Sequence, residues 1–121
     1  MADLAEAQIF TDKMVQSCFD ATDALDCIVE TIKVLPDVKG LCKPEVVLFT
    51  AKDCRYCEDT RTTYTDYLRK GEIKELDINS DKGSVKADAA GITDTPALVI
   101  LDCNNQLLGE VYRDDDLDPL N

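Results

Sequence analysis

The stretch Val46-Val47-Leu48-Phe49-Thr50-Ala51-Lys52-Asp53-Cys54-Arg55-Tyr56-Cys57 decides how the rest of the chain is read. Its first half is a short apolar, β-branched run, which suits a strand buried on both faces. A few polar residues later comes a C-x-x-C. A stretch without Gly or Pro follows as far as Lys70, with Tyr64, Tyr67 and Leu68 as apolar positions and Gly71 as its stop. Strand, cysteine turn and helix is the order this predicts.

Beyond Gly71, Ile73–Ile78 predicts a second short strand with Lys74, Leu76 and Ile78 on one side. Ser80 or Asp81 can cap a further helix that ends at Gly91, a suitable left-handed C′ residue. Ala97–Leu101 is a strongly apolar strand, Asn104-Asn105 a turn and Gln106–Val111 its hairpin partner. Before the opening stretch, residues 3–35 hold no Gly or Pro. Phe10, Met14, Cys18, Ala21, Leu25, Ile28, Ile32 and Leu35 recur at steps of four or three, the stripe of an amphipathic helix. One long helix fits, as do two that break near Asp20–Asp23, where Asp and Thr are good caps. Asp37–Pro44 predicts a connector. The order helix, strand, helix, strand, helix, strand, strand gives an α/β domain with a mixed sheet. Residues 1–44 are expected to form a helical extension, 45–112 the core and 113–121 an acidic tail.

Composition narrows the chemistry. The chain has 121 residues, about one domain, and a net charge of −12, which argues against binding to nucleic acid. The absence of histidine excludes His-based triads and His-ligated zinc. No run approaches the roughly 18 apolar residues of a spanning helix, so no membrane association is expected. No basic segment followed by an apolar core opens the chain, and a cytoplasmic location is expected.

Six cysteines remain to be placed: Cys18, Cys27, Cys42, Cys54, Cys57 and Cys103. On a continuous helix Cys18 and Cys27 lie on opposite sides and cannot bridge unless the helix breaks between them. Core or semi-buried thiols are the default for Cys18 and Cys27, against a structural or regulatory disulfide joining one of them to Cys42 or Cys103. A metal site built from these four lacks the usual close ligand pairs, and none is expected. Cys54 and Cys57 differ, because a spacing of three brings the second within disulfide reach of the first. The nucleophile is the thiolate, and a free cysteine, at about 8.5, is mostly protonated at neutral pH. A helix N-terminus, Lys52 and Arg55 favour the thiolate of Cys54, whereas Asp53, Glu58 and Asp59 oppose it. A pKa below that of free cysteine is expected.

A C-x-x-C between a buried strand and a helix, with Thr95-Pro96 leading into Ala97-Leu98-Val99-Ile100, resembles the thioredoxin–glutaredoxin superfamily. The resemblance covers roughly Glu45 to Val111. Tyr56 before the second cysteine is similar to the glutaredoxin C-P-Y-C, with Arg55 where that motif has proline. Asp53 stands where thioredoxins carry Trp, and Leu48 where they carry a buried Asp. Asp102-Cys103-Asn104-Asn105-Gln106 replaces the Gly-Gly with which glutaredoxins help to hold glutathione.

The resemblance implies a thioredoxin-like fold: a central mixed four-stranded sheet flanked by helices, here with an extra N-terminal helical segment and no long C-terminal helix. Part of residues 3–35 is then expected to cover the sheet face that the missing helix would cover. It also implies a cis Thr95–Pro96 bond facing the cysteines, and a thiol–disulfide oxidoreductase with no cofactor beyond the redox-active Cys54–Cys57 disulfide. Cys54 would be the exposed nucleophile and Cys57 the shielded resolving thiol, while Arg55, Tyr56, Thr95 and Pro96 would contact the substrate. With Leu48 in the carboxylate's place, the group that would take the proton from Cys57 is missing. The implied partners are a disulfide-containing protein or small thiol and an upstream reductase. Two alternatives come from other classes. One is a glutaredoxin-like carrier of an iron–sulfur cluster, and the other a non-catalytic adaptor that docks through its acidic N-terminal helix.

Overall fold

Two strands of this chain have no polar side. Every side chain of β3 (Ala97–Leu101) is buried, as is every one of β1 (Glu45–Thr50) after Glu45, so both must lie inside a sheet covered on each face. In the computed structural model, which describes residues 11–20, 23–35, 43–52 and 54–113, they are the central pair of a four-stranded mixed sheet. With β2 (Lys74–Asp77) and β4 (Leu107–Arg113) at the edges, the order is β2-β1-β3-β4. β1 runs parallel to β2 and antiparallel to β3, and β3 is antiparallel to β4. The expected α/β class and mixed sheet are therefore observed. The acidic tail beyond Arg113, residues 1–10, most of the connector, Cys42 and Asp53 lie outside the described residues.

The strand period of two sorts the core into two layers. Val46, Leu48, Leu98 and Ile100 point to one face, where they meet Val15, Cys18, Leu25, Ile28 and Val29 from the N-terminal helices. Tyr64, Tyr67 and Leu68 complete that layer. Val47, Phe49, Ala97, Val99 and Leu101 point to the other face and pack on Ala87 and Ile92. Phe49 and Leu48 are each wholly buried, and removal of such a side chain from water stabilises the fold by about 1.5–3 kcal/mol. Residues 11–20 and 23–34 thus cover one face of the sheet.

The N-terminal stripe forms two helices rather than one. The helix α1 over residues 11–16 tightens into the 3₁₀ turn Ser17–Asp20, and α2 (Ala24–Val34) starts afresh after Asp23. The break brings Cys18 and Cys27 together: they form a disulfide, with Cα atoms 5.5 Å apart. This corrects the default of reduced core thiols. Cys103 is disulfide-bonded as well, and no cysteine among the described residues is free. The ring of Phe19 lies over Gly109 of β4, where a Cβ would come 2.3 Å from its Cζ. A side chain at that position would push the N-terminal helices off the strand.

The helix after the cysteine turn is likewise two: α3 (Cys57–Thr63) and α4 (Thr65–Arg69), separated at Tyr64. Thr60, Thr62, Thr63 and Thr65 each donate a hydroxyl to the carbonyl four residues back, at 2.8–3.1 Å. Such back-bonding competes with the backbone ladder and bends helices, which a scan for Gly and Pro alone does not detect.

On the opposite face, α5 (Asp81–Ala90) starts at Ser80, whose Oγ accepts from the Gly83 N–H at 3.0 Å, and ends at Gly91 with φ 74°. Gly83 is required where α5 meets the end of β2, because a Cβ there would lie 1.8 Å from the Asp77 carbonyl oxygen. The hairpin turn is held by Asp102, whose carboxylate accepts from the N–H groups of Asn104 and Gln106 at 2.8 and 2.9 Å.

Candidate functional site

β1 ends at Thr50, and the chain turns at Ala51–Tyr56 before α3 begins at Cys57. The Cys54 N–H donates to the Ala51 carbonyl at 3.3 Å, closing that turn. Cys54 therefore stands in the turn before the helix, and Cys57 supplies the helix's first residue. Their Cα atoms are 5.3 Å apart and the sulfurs are bonded. Cys54 is half-buried, while Cys57 is only 1% exposed. The pair thus shows one sulfur-bearing residue towards solvent and keeps the other beneath it.

Exposed side chains frame the turn. Tyr56 is 42% exposed, a high value for a large ring. The guanidinium of Arg55 sits 5.6 Å from the centre of that ring, within cation–π range. Lys52, Glu58 and Asp59 are exposed on the same turn and first helical turn. Tyr56 is the residue before α3, and its carbonyl accepts both the Thr60 N–H at 3.0 Å and the Thr60 hydroxyl at 2.8 Å.

The register brings the second sequence marker to the same end of the sheet. Phe49, five residues before Cys54, pairs with Ala97, and Pro96 directly precedes Ala97. The Thr95–Pro96 bond is cis, with Pro96 buried and Thr95 half-buried. All six residues singled out in the sequence (Cys54, Arg55, Tyr56, Cys57, Thr95 and Pro96) therefore belong to the one end of the sheet at which β1 finishes and β3 starts.

Three further residues lie beside this end. The Glu75 carboxylate oxygen Oε2 accepts from Arg61 Nε at 2.8 Å and from the Thr50 hydroxyl at 3.1 Å. Glu75 is the register partner of Leu48 across the parallel pair. Sequence reasoning missed this group, although a signal was present: with Lys74, Leu76 and Ile78 on one side of β2, Glu75 must face the other, towards α3. Among the described residues, no group of three or more His, Cys, Asp or Glu is placed to hold a metal ion, and no helix is long and apolar enough to cross a membrane.

No protein-family model matches the chain, and no curated protein is significantly similar to it in sequence.

Proposed function

We propose that this chain is a glutaredoxin-like thiol–disulfide oxidoreductase on a thioredoxin-like fold, working through Cys54 and Cys57. The observation that carries the reading is the placement of this pair. A disulfide joins a half-buried cysteine to a buried one, at the sheet end that also holds Thr95–Pro96. Strand order and the helices packed on both sheet faces support the fold reading.

In the reductive direction the dithiol starts the cycle. The Cys54 thiolate attacks one sulfur of a substrate disulfide, forming a mixed disulfide and releasing the first substrate thiolate. The Cys57 thiolate then attacks Cys54 Sγ, forming Cys54–Cys57 and releasing the second substrate thiol. Two electrons and two protons pass to the substrate. Shielding of Cys57 keeps it from competing for substrate, and its position three residues on keeps it close to the mixed disulfide. Tyr56 and Arg55 present an exposed aromatic and cationic surface beside the sulfur. The Thr95 backbone offers strand-like hydrogen bonds to an extended substrate. The substrates are disulfides of proteins or small thiols, and an upstream reductase restores the dithiol. The proposed location is the cytoplasm. Because structural disulfides are uncommon there in mesophiles, alkylation trapping of Cys18 and Cys27 in intact cells decides between that setting and an oxidising compartment.

The decisive experiment is a redox titration of the purified chain in defined glutathione buffers, with thiol labelling and mass spectrometry assigning each cysteine. A reversible two-electron midpoint at Cys54–Cys57 is expected. A pair that never equilibrates with the buffer overturns the reading.

A further inference from the structure

The hydrogen bonds of Glu75 join the three elements that frame the cysteine pair. Thr50, 2% exposed, is the last residue of β1 and lies four residues before Cys54. Arg61 lies four residues after Cys57 on α3, hence one turn on and on the same helix face. Glu75 is on β2, opposite Leu48, and a single oxygen of its carboxylate accepts from both Thr50 and Arg61. The strand that leads to Cys54 and the helix that starts with Cys57 are thereby fastened to one anion.

The fastening has an electrical consequence. Arg61 is the sole cation of α3, and a positive charge one turn from Cys57 favours a thiolate over a thiol. Stabilisation of the thiolate stabilises the dithiol form, which makes the couple more oxidising. Glu75, ion-paired with Arg61 at 2.8 Å, sets a negative charge against it. We propose that Glu75 is a positioning residue for the Cys54–Cys57 couple, acting through Arg61 to hold α3 against the end of β1 and to keep the couple towards the reducing side. This rests on the exchange activity proposed above and assigns a regulator of its equilibrium.

The reaction to be read is the Cys54–Cys57 disulfide plus two glutathione molecules giving the dithiol plus glutathione disulfide. One S–S bond breaks and another forms, with two electrons and two protons passing to the protein. Its equilibrium constant is to be measured at pH 7 for the full chain and for E75Q, R61Q and the double variant. E75Q leaves Arg61 uncompensated, so the constant rises towards the dithiol, by about 3–10-fold for a partly screened charge at this range. R61Q leaves Glu75 uncompensated, so the constant falls by a similar factor. The double variant returns to within about twofold of the parent, since no net charge is left over. A merely structural role lowers melting temperatures without these opposite signs. Shifts of the two single variants in the same direction, or neither beyond twofold, overturn the assignment of Glu75 while the exchange reading stands. A parent chain that fails to equilibrate with glutathione overturns both.

Discussion

Cys18–Cys27 and Cys54–Cys57 span nearly the same distance, 5.5 and 5.3 Å between Cα atoms, yet they occupy opposite kinds of surroundings. Cys18 is sunk among Val15, Leu25 and Ile28, and its sulfur lies 3.4 Å from the Thr31 hydroxyl. That disulfide ties the 3₁₀ turn to the first turn of α2. Cys54, by contrast, sits in a turn flanked by exposed Lys52, Arg55, Tyr56, Glu58 and Asp59. The bond is the same in both. Its neighbours differ, buried and apolar in one case and exposed and polar in the other, and the consequence can be tested by removing each in turn.

The largest effect is expected at the second pair. On the proposed exchange activity, Cys54→Ser removes the nucleophile, and reduction of a model disulfide should fall to the uncatalysed background, because serine supplies no thiolate at neutral pH. Cys57→Ser should instead trap Cys54 as a mixed disulfide with the substrate, a mass shift that spectrometry detects directly. The double variant C18S/C27S should keep exchange at the parent rate and lose stability. Closing a loop with a sequence separation of 9 restricts the unfolded chain by about 2–3 kcal/mol, which denaturant unfolding measures. If C18S/C27S slows exchange as severely as C54S, the contrast between the two pairs is wrong.

A smaller effect sharpens the contrast without touching a cysteine. Gly109→Ala places a methyl group against the Phe19 ring, beside Cys18 and far along β4 from the cysteine turn. Overpacking of this kind costs about 1–3 kcal/mol. The melting temperature should drop while the exchange rate stays at the parent value. A rate that falls with stability would mean that the N-terminal helices help to shape the cysteine turn.

Much of this arrangement was legible in the chain, and the parts that were not share a cause. Ala97–Leu101 as a strand, Ser80 and Gly91 as the ends of α5, and the Asn104-Asn105 turn follow from local rules, since alternation, caps and turn chemistry act over a few residues. The breaks near Cys18 and at Tyr64 were harder. An apolar stripe continues across each of them, while the competing signals are a tight turn and a set of threonine hydroxyls bonded to the backbone. The pairing of Cys18 with Cys27 depends on the first of those breaks, so it could only be stated as a condition. Cys54 and Cys57 stood out through their spacing between a strand and a helix, and Thr95 and Pro96 through the resemblance that this pattern carries. Glu75 was overlooked because a carboxylate on an edge strand looks like solvated surface until the register with Leu48 and the reach of Arg61 are known.

The smallest expected effect concerns a polar tie between the two regions. The Tyr67 hydroxyl on α4 donates to the Asp26 carboxylate, next to Cys27 on α2. That hydrogen bond, aided by partial desolvation and by the charges of Asp26 and Glu72, pushes the Tyr67 pKa up to about 12. In the unfolded chain the phenol titrates near its ordinary value of about 10. A group whose pKa is raised by folding contributes its full stability below the unfolded value and loses it as the pH climbs through the folded one. Stability should therefore decline between about pH 10 and pH 12, and Tyr67→Phe should flatten that part of the curve while lowering stability slightly at pH 7. Because Tyr67 joins α4 to α2 without touching either disulfide, unfolding curves at pH 8 and pH 11 for both proteins separate this tie from the bracing by Cys18–Cys27. An equal alkaline decline in the parent and in Tyr67→Phe would assign it to lysine ion pairs such as Lys33–Glu72 instead.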